Sequence, residues 1–537
     1  MSAGRVWQAT GAGAIFVGAA LTLPFRHLWD PDEARYAAAA REMLATGNWL
    51  VPHLNGVPYP HKPPLYLWLE ALLRSFGASW TVAGVLPSLL AFLAILLLLP
   101  RLAAAVGLDR RLAYQAAALL AASPLAAIFA LAARMDMLLT CLHTLALLLL
   151  ARLFGLGGHS ATIRRDHLAF WVVLGLGVLT KGPLAVGLPL LTAALAAVLI
   201  RPRPSLRPLF CGWGIPAALG LVLTWLVPAA LVGGPQYLQD ILVRQTADRI
   251  LAHQFAHPEP FYFHLATYPF TGLPWSFLVM VAAFHGVRSR ARGASTYLAG
   301  AVAAVILLFS LVSGKLVLYL LPLFPAACLL AADAWQRQVA GARSALAGGA
   351  LLTSLVGAGV ALAPRWRPEL RGSWIAVAAA GLAIAVPAGA AFLLVLRRRV
   401  TASALALLVA SGLAFPSFLL PVAVHALDES TSVADVGLAL RQLEPDVREG
   451  LIYLDEYPGL LLYAERGFHT IDRPTELASA LVDGRWVVVE ERDWRKLSTE
   501  ITLLATEQRR FPHRRRTLML VRGVRAEDRT PGSGGRP

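Results

Sequence analysis

The sequence predicts a polytopic α-helical membrane protein of about thirteen transmembrane helices, followed by a small α/β domain. Three observations support this fold class. Of the 537 residues, 57% are hydrophobic and only 15% are charged, whereas a soluble domain carries about 25% charged residues. Apolar runs of roughly 18 residues recur from the N-terminus to about residue 424. Clusters of arginine separate these runs. Together these features exclude a soluble globular protein.

The arginine clusters indicate how the helices are oriented. Connections that follow even-numbered helices are basic, and basic loops remain in the cytoplasm. The N-terminus is therefore predicted to be cytoplasmic, whereas the odd-numbered connections and the region after the last helix face outward. The eleventh helix is also followed by arginines, so the bias is not uniform. The predicted spans are residues 10–25, 80–100, 113–133, 137–154, 168–180, 183–200, 209–232, 269–286, 295–313, 316–333, 345–363, 374–396 and 401–424.

The pattern of the chain changes after the last apolar run, where short alternating segments predict a soluble domain. The predicted strands there are 450–457, 484–493 and 516–524, and the predicted helices are 473–483 and 498–510. The domains are therefore a transmembrane domain at 1–424 with outer loops 26–79 and 233–268, a soluble domain at 425–525, and a disordered tail at 526–537.

The net charge of +16 follows mainly from the arginines of the cytoplasmic loops. The same charge attracts anionic lipid headgroups, so membrane lipids are expected partners and nucleic acid is not. The three cysteines all fall inside apolar segments, and no disulfide framework is implied.

Three carboxylates stand close together in the first outward connection, in the stretch WDPDEARYAAAAREM. Helix capping explains part of this charge: Asp30 suits an N-cap, Pro31 the first helical position, and Asp32 and Glu33 the positive end of the helix dipole. A helix is predicted from there to Gly47. The alternative is a functional site, because other polar clusters fall on the same face.

Asp136, in LAARMDMLLT, lies between two apolar helices on this outer face. A carboxylate at the end of a membrane helix is costly, and it is usually functional or paired. A simple pair with Arg134 is one explanation, and a catalytic acid is the other.

Lys62 is the cation whose surroundings are most constrained in the sequence. It follows His61 and is flanked by Pro60, Pro63 and Pro64, which hold the backbone extended. Single lysines at helix ends commonly extend to lipid headgroups, but several on one outer face do not serve orientation. The further polar residues of this face are Lys181, Lys315, Tyr319 (one helical turn after Lys315), Arg244, Arg249, His253 and His257.

Acids and cations that converge at the outer leaflet favour group transfer from a lipid phosphate. Fixed cations stabilise a phosphate leaving group as charge develops on its oxygen. A carboxylate accepts a proton from the acceptor or stabilises an oxocarbenium-like centre. A transporter of lipid-linked precursors is an alternative of another class, but it predicts charged or broken helices at mid-membrane and related halves, which we do not find. A lipid-binding receptor without turnover stays open.

The motifs in order resemble those of bacterial 4-amino-4-deoxy-L-arabinose lipid A transferases, and more widely of the GT-C glycosyltransferases that include protein O-mannosyltransferases. The resemblance rests on WDPDEARYAAAAREM, GNWLVPHLNGVPYPHKPPLYLW, RMDMLLT, LTKGP, PEPFYFHL and SGKLVLYLLP, and covers residues 10 to about 330. It implies a GT-C fold in a bacterial inner membrane, an undecaprenyl-phosphate sugar donor and a cell-envelope acceptor. The best match is aminoarabinose transfer to a lipid A phosphate. Transfer of another sugar, or transfer to protein, is the alternative.

The resemblance implies roles for the acids. Asp32 matches a catalytic aspartate, with Glu33 beside it, and Asp136 matches a second loop acid. A lipid A phosphate is already anionic, so with this acceptor Asp32 organises the site rather than removing a proton.

The resemblance also implies roles for cations and metal ligands. Lys62 matches the lysine that binds the carrier phosphate, and Tyr319 a tyrosine after the SGK segment. Arg244 or Arg249 matches basic residues of the outer loop less surely. A metal site of the family has a glutamate where this chain has His61, with His257 or His253 as second ligand. Two histidines do not complete a tetrahedral zinc site, so hydrogen bonding at a headgroup is the other interpretation.

Overall fold

The computed structural model describes residues 3–158, 163–242, 258–289, 293–312, 314–397, 402–513 and 516–523. The chain divides into two units. The first unit comprises residues 1–25, 60–73 and 82–426, and the second comprises residues 26–59, 74–81 and 427 onward. The predicted division into residues 1–424, 425–525 and 526–537 stays a prediction, and residues 524–537 lie outside the described residues.

The first unit is helical, as predicted. The α-helices that lie wholly or mostly in it are Ala3–Thr22, Leu65–Ser75, Trp80–Val106, Arg110–Ala121, Pro124–Ala130, Asp136–Leu153, Ile163–Lys181, Leu184–Leu199, Arg207–Phe210, Gly214–Gln239, Phe263–Thr271, Ser276–Ser289, Ala294–Leu311, Phe324–Gln336, Ala342–Leu362, Trp374–Leu396, Ala402–Ala414 and Leu420–Thr431. Shorter 3₁₀ and π segments connect some of them: Val317–Leu323, Ala363–Arg365, Pro368–Ser373 and Phe415–Leu419.

Eight helical segments within the described residues are long and apolar enough to cross a membrane. A ninth is added if Arg110–Ala121 and Pro124–Ala130, bent by 76°, form one span. The apolar helices Gln8–Thr22, Leu184–Leu199 and Ser276–Ser289 are shorter. Every predicted span overlaps a helical segment, and the chain is a multi-pass membrane protein. The count of thirteen stays a prediction.

The core of the first unit is lined largely by alanine and leucine, which allow helices to approach closely. Polar tips of large buried aromatic residues are satisfied by backbone carbonyls of other helices. The Trp275 Nε1 donates to the Leu119 carbonyl over 2.9 Å, and the Tyr297 hydroxyl donates to the Leu147 carbonyl over 2.7 Å. Such bonds matter because water is scarce in this interior.

The second unit contains the helix Asp32–Thr46, a short hairpin and a five-stranded sheet. The hairpin strands are β1 (His53–Leu54) and β2 (Val57–Pro58). The sheet strands are β3 (Glu449–Tyr453), β4 (Gly467–Ile471), β5 (Val487–Glu490), β6 (Ala505–His513) and β7 (Arg516–Gly523), in the order β4-β3-β5-β7-β6. Strand β3 is parallel to β4 and β5, whereas β7 is antiparallel to β5 and β6. The other helices of the second unit are Ala434–Leu443, Pro458–Tyr463, Pro474–Val482, Glu491–Trp494 and Thr499–Leu504.

The α/β character of the C-terminal region is confirmed, with errors in the predicted elements. The predicted strand 484–493 is wrong at its end, where the helix Glu491–Trp494 follows β5, and the predicted strand 450–457 extends beyond β3, which ends at Tyr453. The predicted helix 498–510 is wrong in its second half, because the helix ends at Leu504 and β6 begins at Ala505. Strand β6 lies at the edge of the described sheet, where it pairs with β7, and this pairing overrides the helical preference of TEQRR. Strand β4 and the helix Pro458–Tyr463 were not predicted.

Candidate active site

Asp136 lies at the centre of the charged residues in the first unit. Its carboxylate is 5% exposed and forms ion pairs with Lys181 and, at 3.4 Å, with the Nε of Arg134. The sequence offered a surface pair with Arg134 or a functional acid. The carboxylate is buried and has two cationic partners, so a surface pair does not describe it. A buried carboxylate in this setting requires such compensation.

Two helix ends bring this pair together. Asp136 is the first residue of the helix Asp136–Leu153, where a negative charge is favoured by the helix dipole. Lys181 is the last residue of the helix Ile163–Lys181, where a positive charge is favoured. Gly182 follows with φ +82°, a conformation that ends the helix and suits glycine. The local sequence LTKGP therefore fixes where the lysine leaves its helix.

Lys62 approaches this pair from the N-terminal part of the first unit. It precedes the helix Leu65–Ser75, and its positive charge acts on Asp136. Two hydrogen bonds attach the helix Trp80–Val106 to the segments on either side of it. The Tyr66 hydroxyl donates to the Gly84 carbonyl of this helix over 2.7 Å, and the Ser88 hydroxyl of this helix donates to the Arg134 carbonyl over 2.8 Å. The helix Trp80–Val106 thereby links the segment of Lys62 to the segment of Asp136.

Tyr319 joins the group through Lys181. The Lys181 Nζ lies 4.8 Å from the centroid of the Tyr319 ring, within the range of a cation–π interaction. The Tyr319 ring also stacks on the Phe309 ring, with 5.0 Å between the two centroids. The predicted α-helical spacing of Lys315 and Tyr319 is wrong, because Tyr319 lies in the 3₁₀ helix Val317–Leu323 and Lys315 precedes it.

Lys315 is 4% exposed, and its Nζ donates to the Glu259 carbonyl over 2.8 Å. An isolated bridge between Pro258 and Gly314 brings the two segments side by side. This lysine therefore does not extend to the membrane surface, which was the simpler interpretation for a lone lysine.

His264 was not among the predicted site residues, yet it borders this group. It lies in the helix Phe263–Thr271, its ring centroid is 6.5 Å from that of Tyr319, and the charge of Lys315 acts on it. The motif PEPFYFHL carried the only sequence signal, a histidine among aromatic residues. We call Lys62, Arg134, Asp136, Lys181, Lys315 and Tyr319 the cationic cluster.

The cationic cluster carries four cations and one carboxylate among the described residues. This imbalance in a largely buried setting makes the cluster a place where an anion is stabilised. A phosphate or diphosphate group has the charge and the oxygen acceptors that these donors require.

Asp32 and Glu33 belong to the second unit and differ in their surroundings. Glu33 is buried, forms an ion pair with Arg26, and accepts a hydrogen bond from the Trp29 amide over 3.0 Å. The Asp32 carboxylate is 30% exposed and lies 3.4 Å from Arg35. Both stand in the first turn of the helix Asp32–Thr46, as predicted. Glu33 thus stabilises the segment that precedes its helix, through Arg26 and Trp29, and Asp32 is the more accessible acid.

The predicted N-cap at Asp30 is wrong. The helix is preceded by Pro31 and has no side-chain cap. The Asp30 Oδ1 instead accepts a hydrogen bond from the Gly459 amide over 2.9 Å. A contact that distant in sequence was not visible in the local capping pattern. The predicted helix end at Gly47 is confirmed, since Gly47 has φ +72° and its amide donates to the Met43 carbonyl.

Several predicted residues lie outside the described residues: Arg244, Arg249, His253 and His257. His61 is exposed and belongs to no group of three or more candidate metal ligands in the described parts of the chain. The second expected ligand, His257 or His253, lies outside the described residues, so the metal site stays a prediction and no step below depends on it.

An acidic group in the C-terminal sheet consists of Asp455, Glu490 and Asp493. Basic side chains already approach it: Arg516 contacts Glu490 at 3.1 Å, Arg492 contacts Glu490 at 3.0 Å, and Lys496 contacts Asp493 at 2.7 Å. These carboxylates are explained as an ion-pair network.

Comparisons with known proteins show which sequences and folds this chain is similar to. A family model for dolichyl-phosphate-mannose-protein mannosyltransferases matches residues 21–239. The undecaprenyl phosphate-alpha-4-amino-4-deoxy-L-arabinose arabinosyl transferase of Edwardsiella ictaluri is 32% identical over 359 residues, 63% of this chain and 61% of that protein. A transferase of the same name from Pseudomonas fluorescens is 30% identical over 343 residues, which cover 63% of this chain and 61% of that protein. The match thus spans about three-fifths of the length of these curated relatives.

Solved structures show the fold. The crystal structure of ArnT from Cupriavidus metallidurans bound to undecaprenyl phosphate has a TM-score of 0.77 and 21% identity, and covers 97% of this chain and 98% of its own. The Archaeoglobus fulgidus oligosaccharyltransferase has a TM-score of 0.52 and 13% identity, with 90% of this chain and 69% of its own covered. The chain therefore has the GT-C fold of ArnT. Over about three-fifths of its length its sequence is similar to those of arabinosyl transferases, and its N-terminal part is similar to the protein mannosyltransferase family.

Proposed function

We propose that this protein is a glycosyltransferase that moves a sugar from undecaprenyl phosphate to a cell-envelope acceptor. The observation that carries the proposal is the cationic cluster, in which Lys181 and Arg134 contact Asp136 while Lys62 acts on it. The main requirement of this reaction is to stabilise the charge that develops on the departing phosphate. Cations that helix ends and a carboxylate already hold in place meet it with little reorganisation.

The reaction breaks the bond between the anomeric carbon and the donor phosphate oxygen. The electron pair stays on that oxygen, and the new bond joins the anomeric carbon to the acceptor oxygen. Lys62, Lys181 and Lys315 lower the energy of the charge that develops on the departing phosphate. Asp136 holds Lys181 and Arg134 in place, because its carboxylate contacts both.

The proposed acceptor is a lipid A phosphate and the proposed sugar is 4-amino-4-deoxy-L-arabinose. The names of the curated relatives support the sugar and the carrier. A phosphate acceptor attacks as an anion, so no proton is removed and no strong base is required. In this scheme Asp32, whose carboxylate is 30% exposed, contributes to transfer without removing a proton.

We further propose that the site faces the periplasm of a bacterial inner membrane, with the N-terminus in the cytoplasm and the C-terminal domain in the periplasm. The distribution of arginines between even and odd connections supports this orientation. Cysteine labelling from each side of the membrane tests it.

Mass spectrometry of lipid A from cells with and without the gene tests the proposed reaction. The expected result is an added aminoarabinose on a lipid A phosphate that requires the gene and is lost in the Lys62→Ala variant. Unchanged lipid A, together with purified protein that does not bind undecaprenyl phosphate, would contradict the proposal.

A second candidate is transfer of a sugar to protein serine or threonine. The mannosyltransferase family model at residues 21–239 favours it, because that region includes Asp32, Lys62, Asp136 and Lys181. A hydroxyl acceptor loses a proton on attack, so Asp32 would then act as a base. A gene-dependent change confined to glycoproteins selects this candidate.

A further inference from the structure

His264 presents two ring nitrogens that the described part of the chain leaves without hydrogen-bond partners. The residue is 0% exposed, and neither Nδ1 nor Nε2 has a hydrogen-bond partner among the described residues. A buried polar atom without a partner destabilises a protein, and each such atom in a native structure calls for a reason.

The surroundings of His264 combine aromatic rings with a cation. Its ring centroid lies 5.3 Å from that of Phe263, 6.4 Å from that of Phe309 and 6.5 Å from that of Tyr319. Lys315 is close enough for its charge to act on the imidazole. The unpartnered nitrogens therefore stand beside the cationic cluster rather than in an unrelated part of the core.

The imidazole is neutral at physiological pH. Burial, and then the charge of Lys315, lower the pKa of His264 to about 4. A neutral imidazole offers one donor and one acceptor, which no lysine or arginine of the cluster can do. It is thus able to bond a phosphate oxygen through its N–H and a hydroxyl through its other nitrogen.

Tyr319 separates His264 from Lys181. Its side chain is partly exposed, and its described contacts are the Phe309 ring, the His264 ring and the Lys181 cation. A headgroup that contacts both Lys181 and His264 therefore has to displace the Tyr319 ring from its contact with one of them.

We propose that His264 is a hydrogen-bonding contact for the phosphate–sugar headgroup of the lipid donor, beside Lys315 and behind Tyr319. The inference rests on the proposed function and extends it by adding a neutral donor–acceptor to a site otherwise described by charges.

The test uses full-length protein in detergent and three variants: His264→Phe, His264→Gln and His143→Phe. Phenylalanine keeps a ring and removes both nitrogens, whereas glutamine retains a donor and an acceptor. His143 is the matched control, because it is 3% exposed and both its ring nitrogens also lack partners in the described structure. Among the described residues it makes no ring or ion contact with the cationic cluster.

Each variant is measured for its affinity for undecaprenyl phosphate, for kcat/KM with the sugar-loaded donor, and for its melting temperature without ligand. We expect His264→Phe to lose at least roughly fivefold in one of the two functional measurements. Its melting temperature should be equal to or higher than that of the wild type, because an unpaired polar group has left an apolar site. His264→Gln should retain more function, and His143→Phe should keep wild-type function.

A loss of undecaprenyl phosphate affinity identifies a phosphate contact, and a loss confined to the loaded donor identifies a sugar contact. Wild-type affinity and turnover in His264→Phe would overturn the inference, as would an equal loss in His143→Phe. If His264→Phe does not fold, wild-type function in His264→Ala would overturn it, and a loss of at least roughly fivefold there would support it. Failure of the wild type to bind undecaprenyl phosphate would instead count against the proposed function itself.

Discussion

Lys181, the last residue of one helix, forms an ion pair with Asp136, the first residue of another, and both side chains are largely buried. The pair joins two segments that are 45 residues apart in sequence. Each partner stands at the helix end whose dipole favours its charge. This relationship fixes the position of a cation that also contacts Tyr319.

The ion pair predicts opposite results for single and double substitutions. Asp136→Asn leaves Lys181 and Arg134 without their carboxylate, and removing one partner of a buried pair costs about 3–5 kcal/mol. Thermal unfolding in detergent should therefore shift to lower temperature. The double variant Asp136→Asn with Lys181→Met should recover most of the stability but not the donor affinity. An unchanged melting temperature in Asp136→Asn would show that the pair does not stabilise the fold.

Lys62 is predicted to bind the donor phosphate. A hydrogen bond to a charged group contributes about 1.5–3 kcal/mol, so Lys62→Ala should weaken undecaprenyl phosphate binding roughly 10- to 150-fold. Lys496→Ala is the matched control, because the Lys496 side chain is 66% exposed and pairs with Asp493 of the helix Glu491–Trp494. Titration of both variants with undecaprenyl phosphate checks the prediction. Equal affinities in the two variants would remove Lys62 from the phosphate site.

Asp32 and Glu33 should separate into a functional and a structural acid. Asp32→Asn should reduce the transfer rate by about 10²-fold or more, as loss of an electrostatic contact in a transition state does. Its melting temperature should stay close to that of the wild type, since its carboxylate is 30% exposed. Glu33→Gln should lower the melting temperature, because the buried Arg26 loses its charged partner. Transfer assays and unfolding curves on both variants check this, and the reverse assignment would contradict it.

His27 should make the stability of the second unit depend on pH. The hydrogen bond that the His27 Nδ1 donates to the Asp428 carboxylate, at 2.8 Å, is the main cause that raises the pKa of His27 above its ordinary value. A group whose pKa is higher in the folded state stabilises that state fully below its unfolded pKa of about 6.5. The stabilisation is then lost as the pH rises through the raised value.

Melting temperatures measured from pH 5 to pH 9, a range of about two units on either side of neutrality, check this expectation. The difference between wild type and His27→Gln should be largest at the acidic end and should shrink as the pH rises. Asp428→Asn should remove the same pH-dependent part. A difference that grows with pH would contradict the sign.

The charged residues of the site were predicted individually, but of their pairs only that between Arg134 and Asp136 was offered by the sequence. The sequence placed Asp136 beside Arg134, whereas the structure adds Lys181 as a second partner. It offered lipid headgroups as the destination of Lys315, whereas that lysine is buried and donates to the Glu259 carbonyl. Such pairings depend on which helix ends meet, and no local pattern carries that information.

The acids of the first outward connection also show that local patterns miss contacts between residues distant in sequence. Capping rules correctly placed Asp32 and Glu33 in the first turn of a helix, and they assigned Asp30 wrongly. Asp30 contacts Gly459, more than four hundred residues away along the chain. His264 was missed because one histidine among aromatic residues is an ordinary core pattern.

The sequence by itself determined that this protein is helical and membrane-embedded, where its helices fall, that a small α/β region follows, and which family its motifs resemble. Hydrophobic runs and helix-end residues act over one or two turns, so they can be recognised without a structure. Only the tertiary structure decided that Asp136 compensates Lys181, that Tyr319 contacts this lysine, and that Glu33 is bound to Arg26. Burial makes an unpaired charge costly, and the partner that removes the cost is set by how distant helix ends pack.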